Sequence, residues 1–391
     1  MKFQTIYFVA GEVSADNHGA ALMRSLRKLD GELKFVGRGG PQMQEVAGES
    51  ATGRTRGGGQ FKNWLSEAAV LGLWEVLRKY GYFRKQFDET LQEIRESNAD
   101  AVVLIDYPGF NLRLARALRR QARERKIIYY ISPQVWAWNR GRIKRMAHFI
   151  DLVLCIFPFE VDLYNQAGLR ALFVGHPMIE RLWARKIDTK RDRNVIGIFP
   201  GSRLREVRKI LPVMLETARE LRQHKPNLHF EVAAASEQLA REMKPAVTGL
   251  DQLNKREAIP IKVDETATIM QRAWAGIIAS GSATLEAAFF RLPFVLIYKV
   301  AWPTYLAARL VVNVKYLGMP NLLADKEVVP EFIQHRAKPN AIVKALEPLI
   351  ENPNVRARMI SEFDAIVPQL GDVGASERAA RAIIEEIGSA T

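Results

Sequence analysis

The sequence predicts an α/β protein of two doubly wound parallel sheets, each flanked by helices, followed by a helical tail. Three observations lead there. Short apolar runs alternate with longer helical patterns from end to end. Most of the runs are continuously apolar rather than apolar at alternate positions, as in strands buried on both faces. The chain, at 391 residues, also exceeds what one ordinary core organises.

The first series of strands is "TIYFVA", "AVVLI", "IIYYI" and "LVLCIF"; the second is "VIGIF", "HFEVA", "AGIIA" and "FVLIY". Between them "GHPMIERLWARKIDTKRDRN" supplies a loop, a short helix and a charged run, which places a linker at about residues 178 to 193. From Pro339 onward strand character stops, and "NAIVKALEPLIEN", "VRARMISEFDAIV" and "SERAARAIIEEI" read as helices. The expected division is 1–180, 181–365 and a closing stretch, 366–391, that packs back on the first domain or on a second subunit.

Composition narrows the function. The single cysteine, Cys155, lies in "DLVLCIF", which favours a buried thiol in a reducing, cytoplasmic setting over a disulfide scaffold or a cysteine-ligated metal. The N-terminus "MKFQTIYFVAGEVSAD" is too briefly apolar for a secretory signal, and no uncharged apolar run reaches the roughly 18 residues of a spanning helix. A net charge of +14 draws the protein toward polyanions. Basic residues cluster in "RKYGYFRK" (78–85), "RALRRQARERK" (116–126) and "NRGRIKRMAH" (139–148). For the second, a solvated helix face is favoured, because Leu114, Leu118 and Ala122 form an apolar stripe behind the charges.

In open α/β sheets ligands bind beyond the carboxyl ends of the strands, so the residues there carry the functional signal. After the first strand, "GEVSADNHGAAL" places Ser14, Asp16 and His18 at a helix start, without the spacing of a dinucleotide fingerprint. After "AVVLI", Asp106 stands at a strand tip broken by Pro108 and Gly109, where helix capping and general-base catalysis are both open. The tryptophans of "SPQVWAW" suit a core wedge or a ligand wall. In the second half, Gly201, Ser202 and Arg203 of "PGSR" combine a tight turn with a permanent cation, a pairing suited to phosphate. Ser280, Gly281 and Ser282 repeat the arrangement before a helix. Glu286, one turn inside that helix, suits either sugar hydroxyls or compensation of the helix dipole. Asn321 sits in "GMPNLLADKEVVPEF" and says little alone.

Taken in order, "AGEVSADNHGA", "FVGRGGPQM", "AVLGLWEVL", "IDYPGFN", "YYISPQVWAW", "FPFE", "FVGHPM", "PGSRLREV", "SGSATLEAAF" and "PNLLAD" resemble the lipid-A-disaccharide synthase family, from about residue 10 to about 333. The resemblance implies an inverting glycosyltransferase of the GT-B architecture, two Rossmann-like domains facing a cleft; with no acidic D-x-D run and no clustered His/Cys set in the sequence, a mechanism with no metal and no cofactor is expected. It implies a UDP-sugar lipid donor, a phosphorylated glycolipid acceptor, and work at the anionic inner face of the cytoplasmic membrane rather than on nucleic acid; a homodimer is compatible with it. By the same resemblance Asp106 is the base, Arg203 meets the diphosphate, Glu286 meets the ribose, Asn321 falls on the donor side, and Ser14, Asp16 and His18 line the acceptor side. Val70, Leu71, Leu73, Trp74 and Leu77, followed by Arg and Lys, suit contact with acyl chains and anionic headgroups, or equally a core-packed helix. Two departures stand out: Ala15 replaces the family's usual glycine, and "ATGRTRGGGQFK" (51–62) does not look like the usual family segment. If Ala15 crowds its loop, the acceptor differs. The rival readings are a UDP-sugar transferase or epimerase of the same fold with another substrate, and a nonenzymatic polyanion-binding protein.

Overall fold

A computed structural model describes residues 4–48, 61–65, 80–122, 124–135, 141–254, 259–302, 305 and 315–388. Expectations for Val70, Leu71, Leu73, Trp74 and Leu77, for 51–60, and for Trp136 and Trp138 therefore lie outside the described residues. The chain divides into two compact units, one running to Glu180 and resuming at Leu370, the other Arg181–Gln369.

Among the described residues the first unit holds seven parallel strands: β1 (Thr5–Ala10), β2 (Lys34–Gly39), β3 (Phe61–Asn63), β4 (Ala101–Ile105), β5 (Lys126–Tyr130), β6 (Leu152–Cys155) and β7 (Ala171–Phe173). Their order is β3-β2-β1-β4-β5-β6-β7. The second unit holds six: β8 (Asp192–Phe199), β9 (His229–Ala234), β10 (Ile261–Val263), β11 (Ala273–Ala279), β12 (Phe294–Tyr298) and β13 (Glu331–Ile333), ordered β10-β9-β8-β11-β12-β13. Both sheets are doubly wound, as expected. In each, the winding direction reverses beside the first strand, between β1 and β4 and between β8 and β11. Ligands gather at such reversals, because the loops leaving the two strands part in opposite directions and open a crevice.

The central strands are buried throughout; every residue of β4 is in the core. The apolar run is the cause, since a strand covered by helices on both faces has no position for a polar side chain. The closing helix, Ala375–Gly388, packs on the first unit. Ala379, Ala380, Ile383 and Ile387 join Leu22 and Leu26 of the Val13–Leu29 helix in one cluster. Glu386 fixes its register, accepting from Lys126 Nζ (2.8 Å) and Arg170 Nη1 (2.5 Å).

A charged group on β2 departs from this apolar plan. Arg38 on β2 is 1% exposed. Its Nε donates to Glu93 Oε2 (2.8 Å) and its Nη2 to Glu93 Oε1 (2.7 Å), a bidentate fork. Tyr7 Oη donates to the same carboxylate at 2.7 Å, and Lys62 Nζ at 2.5 Å. Burial alone would raise the Glu93 carboxyl, but hydrogen bonds from Arg38, Lys62 and Tyr7 hold it down at about 2. The network ties β1, β2 and β3 to the Tyr80–Glu96 helix.

Removing one partner of such a pair strands the other charge, so Arg38→Met is expected to destabilise the first unit by about 3–5 kcal/mol in urea unfolding. Arg38→Met combined with Glu93→Leu should recover a substantial part. A single-variant loss under about 1 kcal/mol would contradict the account. Because the folded carboxyl lies below its ordinary value, the stabilisation is present above about pH 4.5 and disappears as pH falls toward 2.

Candidate active site

The reversal in the first sheet sets the loops after β1 and β4 side by side, since Ala10 pairs with Ile105. The chain leaves β4 through an unusual turn. Asp106 (φ 48°) and Tyr107 (φ 49°) both lie in the left-handed region, which costs a non-glycine residue about 1–3 kcal/mol each. The surroundings over-determine it. The Asp106 N–H donates to Tyr130 O (3.0 Å), while the Asp106 carbonyl accepts from Tyr129 Oη (2.5 Å) and Asn111 Nδ2 (2.8 Å). The Tyr107 ring lies against Gly11, where a Cβ would come within 2.3 Å of it, so only glycine allows the two loops to approach. Trp64 packs edge-on against Tyr107 and Phe110 and donates from its indole nitrogen to Ala10 O (2.7 Å). Pro108 then opens the Pro108–Gln121 helix.

This turn holds the Asp106 carboxylate partly withdrawn from water and close enough to another acid to feel its charge. Burial first, then the Glu12 carboxylate, push Asp106 up to about 6; a hydrogen bond to the Tyr107 backbone opposes them. A carboxylate of that kind is ionised at neutral pH yet basic enough to accept a proton from a hydroxyl. The helix-cap role left open by the sequence is not what it does: the Pro108–Gln121 helix has Tyr107 at its N-cap and no side-chain cap bond. Sequence reasoning passed over Glu12, whose effect on Asp106 depends on β1 and β4 being neighbours.

The other residues expected on this side separate. Ser14 is exposed and His18 half-buried, both in the first turns of the Val13–Leu29 helix. Asp16 is 2% exposed, and its oxygens accept the backbone N–H groups of Gly40 (2.8 Å), Gln42 (3.1 Å) and Met43 (3.0 Å). It holds the start of the Pro41–Gly48 helix and presents no oxygen outward. Ala15 is buried in the core cluster that also holds Phe8, Ala20 and Met43.

In the second sheet Phe199 and Ile278 are paired, so "PGSR" and "SGSAT" leave adjacent strand ends at the reversal. Gly201 (φ 102°) and Gly281 (φ 149°) take backbone angles that favour glycine, and a Cβ on Gly201 would sit 3.6 Å from the Ala279 Cβ. Ser280 N–H donates to Ile297 O and Thr284 Oγ1 to Gly281 O (2.7 Å), which fixes the second turn. Arg203 is the N-cap of the Leu204–His224 helix; its exposed guanidinium donates to Glu206 (3.3 Å). Ser202 and Ser282 are exposed beside it. The pair of turns therefore presents backbone N–H groups, hydroxyls and a permanent cation beyond the carboxyl ends of two central strands, a set that fits a diphosphate.

Glu286 and Asn321 differ in kind. Glu286, on the Ala283–Phe289 helix, accepts from Arg181 Nη2 at 2.9 Å. Asn321 is fully buried: its Oδ1 accepts from Val328 and Val329 N–H, and its Nδ2 donates to Val329 O and Glu331 Oε1. Its amide is spent on the loop, so it positions backbone.

The raised Asp106 carboxyl has a stability consequence. Above about pH 6 the folded state holds a buried charge that the unfolded chain hydrates; below about pH 4 both states are protonated. The burden approaches about 3 kcal/mol at most. Asp106→Asn should therefore raise the melting temperature at pH 8, with the gain shrinking toward pH 4. A gain equal at both pH values would contradict the burial.

The family model described as lipid-A-disaccharide synthetase matches residues 6–382. A lipid-A-disaccharide synthase from Geobacter sulfurreducens is 37% identical over 98% of this chain and 97% of its own length; one from Persephonella marina is 31% identical over 97% and 98%. Among solved structures, the UDP-N-acetylglucosamine 2-epimerase from Neisseria meningitidis bound to its UDP-sugar superposes with a TM-score of 0.57 at 12% identity, each chain fully covered. The calicheamicin glycosyltransferase CalG4 gives 0.58 at 14%, covering 99% of both. At those identities the structural likeness establishes the fold, GT-B, while the sequence matches establish descent. The chain belongs to the lipid-A-disaccharide synthetase family.

Proposed function

We propose that the protein transfers diacylglucosamine from UDP-diacylglucosamine to the 6-hydroxyl of diacylglucosamine 1-phosphate with inversion, giving a β-linked disaccharide 1-phosphate and UDP. The observation that carries the reading is Asp106: a partly buried carboxylate raised to about 6, on a strained turn at a sheet reversal. Family membership supports the choice of donor and acceptor.

The chemistry follows from these groups. Asp106 takes the proton of the acceptor hydroxyl as its oxygen attacks the anomeric carbon; the bond from that carbon to the diphosphate oxygen breaks, and the electron pair leaves with UDP. Negative charge grows on the departing diphosphate. The turns at Gly201–Arg203 and Ser280–Ser282 are read as its seat, with fixed dipoles and a guanidinium that need little rearrangement as charge develops. Glu286, close to those turns in sequence, is assigned to the donor ribose, and Ser14 and His18 to the acceptor side.

Both substrates carry acyl chains, so the enzyme works where they lie, at the inner face of the cytoplasmic membrane. No described helix is long and apolar enough to cross a bilayer. The net charge of +14 supports attraction to an anionic surface, each nearby Lys or Arg contributing about 1 kcal/mol.

The wild-type protein should release UDP when both lipids are supplied, and mass analysis should find the disaccharide 1-phosphate; no UDP release would sink the reading. Asp106→Asn should lower kcat by about 10²–10⁴-fold with the fold intact. Because the base must be ionised, kcat should fall about tenfold per pH unit below about pH 6. Glu12→Gln removes a like charge, so the acid limb should move to lower pH; a limb that stays in place would remove Glu12 from the mechanism.

A further inference from the structure

Two basic stretches that look unrelated in sequence meet in the first unit. The Pro108–Gln121 helix and the Gly141–Met146 helix, with the residues just after the latter, line an open cavity of about 910 Å³. Arg113, Arg116 and Arg120, spaced three and four apart, line one wall, and Arg142 and Arg145 line the other. Leu112 and Phe149 contribute apolar surface. The solvated face that the sequence favours for "RALRRQARERK" is present, with Arg116 and Arg120 exposed and Leu114 and Leu118 buried behind them, and the same face lines this cavity.

The described lining of this cavity is rich in arginine. No carboxylate is among the described lining residues. Arg119, which also lines it, is tied to Asp151 by its Nη2 and to Arg125 O by its Nη1 (3.3 Å), leaving it a structural part. Burial, then Arg145, then Arg113 press the Arg142 guanidinium downward, so cations from the two walls are close enough to repel each other. Guanidinium forks match phosphate oxygens in pairs, and a concave site of this volume suits a small ligand better than a polymer. The apolar surface asks for a ligand with a nonpolar portion beside its charge.

We propose that this cavity is a phosphate subsite for an amphiphile. Resting on the transferase reading above, the phosphate is that of the glycolipid acceptor. Pro108 and Gly109 line the cavity and follow Asp106 within three residues, which puts the subsite on the chain segment that carries the base.

The test compares wild type with Arg113→Gln/Arg116→Gln/Arg142→Gln in detergent micelles. The KM for diacylglucosamine 1-phosphate should rise about tenfold or more, with kcat within about twofold and the donor KM unchanged. The same glycolipid without its phosphate should bind both proteins equally weakly, and the corresponding triple lysine variant should recover part of the loss. An unchanged acceptor KM overturns the proposal. So does a variant that loses phosphatidylglycerol vesicles but keeps its micellar KM, since the cavity then serves bulk headgroups. If the triple variant unfolds early, Arg113→Gln alone should raise the acceptor KM severalfold, and no change there overturns the proposal equally. A wild type that releases no UDP overturns the transferase reading instead. Equilibrium binding of the phosphorylated lipid then decides the cavity: about tenfold weaker in the triple variant supports the subsite, and equal binding rejects it.

Discussion

The turn at Asp106 and Tyr107 is the constraint on which the rest of the first unit depends. Two successive non-glycine residues in the left-handed region would relax in an isolated peptide. Here β5 holds the turn from beneath through Tyr129 and Tyr130, Asn111 holds it from the following helix, and Gly11 and Trp64 close over Tyr107. Each of these groups is fixed in turn by the sheet, and β1 and β2 are clamped by the buried Arg38–Glu93 pair. The result is a partly buried carboxylate on a backbone with few ways to move. Such a group loses stability for the fold and gains basicity for catalysis, a trade common at active sites.

The second unit solves a different problem by simpler means. Its turns need to offer N–H groups and a cation, and that requires small residues at two neighbouring strand ends rather than strain in bulky ones. Gly201 and Gly281 take the unusual backbone angles at little penalty, and Arg203 stands at the head of a 21-residue helix. Asn321 and Glu331 secure the nearby loop from below, with Glu331 also accepting from Gly318 N–H (2.8 Å). The two units thus share a topology and differ in how each tip was made.

Legibility in the sequence followed physical cause. Long apolar runs announced β1, β4, β5, β6, β8, β9, β11 and β12, because a strand buried on both faces has no other composition. The three-residue strands β3, β7, β10 and β13 at or near the sheet edges, and β2 with its glycines and a buried arginine, carry no such run. Asp106, Gly201–Arg203 and Ser280–Ser282 were legible because each follows a recognisable strand. Asp16 and Asn321 show the limit of that logic: a polar residue near a strand end looks the same whether it satisfies backbone or ligand, and theirs satisfy backbone. Glu12 beside Asp106, Glu93 beneath Arg38, and the two arginine walls arise from convergence of distant segments, which local pattern does not encode.

The central claim is that the Asp106 carboxyl titrates near pH 6 because its turn buries it beside Glu12. Infrared difference spectra between wild type and Asp106→Asn, recorded across pH 3 to 9, isolate the carboxyl stretch of this one group. A protonated band that disappears with a midpoint near 6, and nearer to the ordinary carboxylate range in Glu12→Gln, is the predicted result. A midpoint close to 4 in the wild-type protein would mean a hydrated surface acid, and would contradict the account.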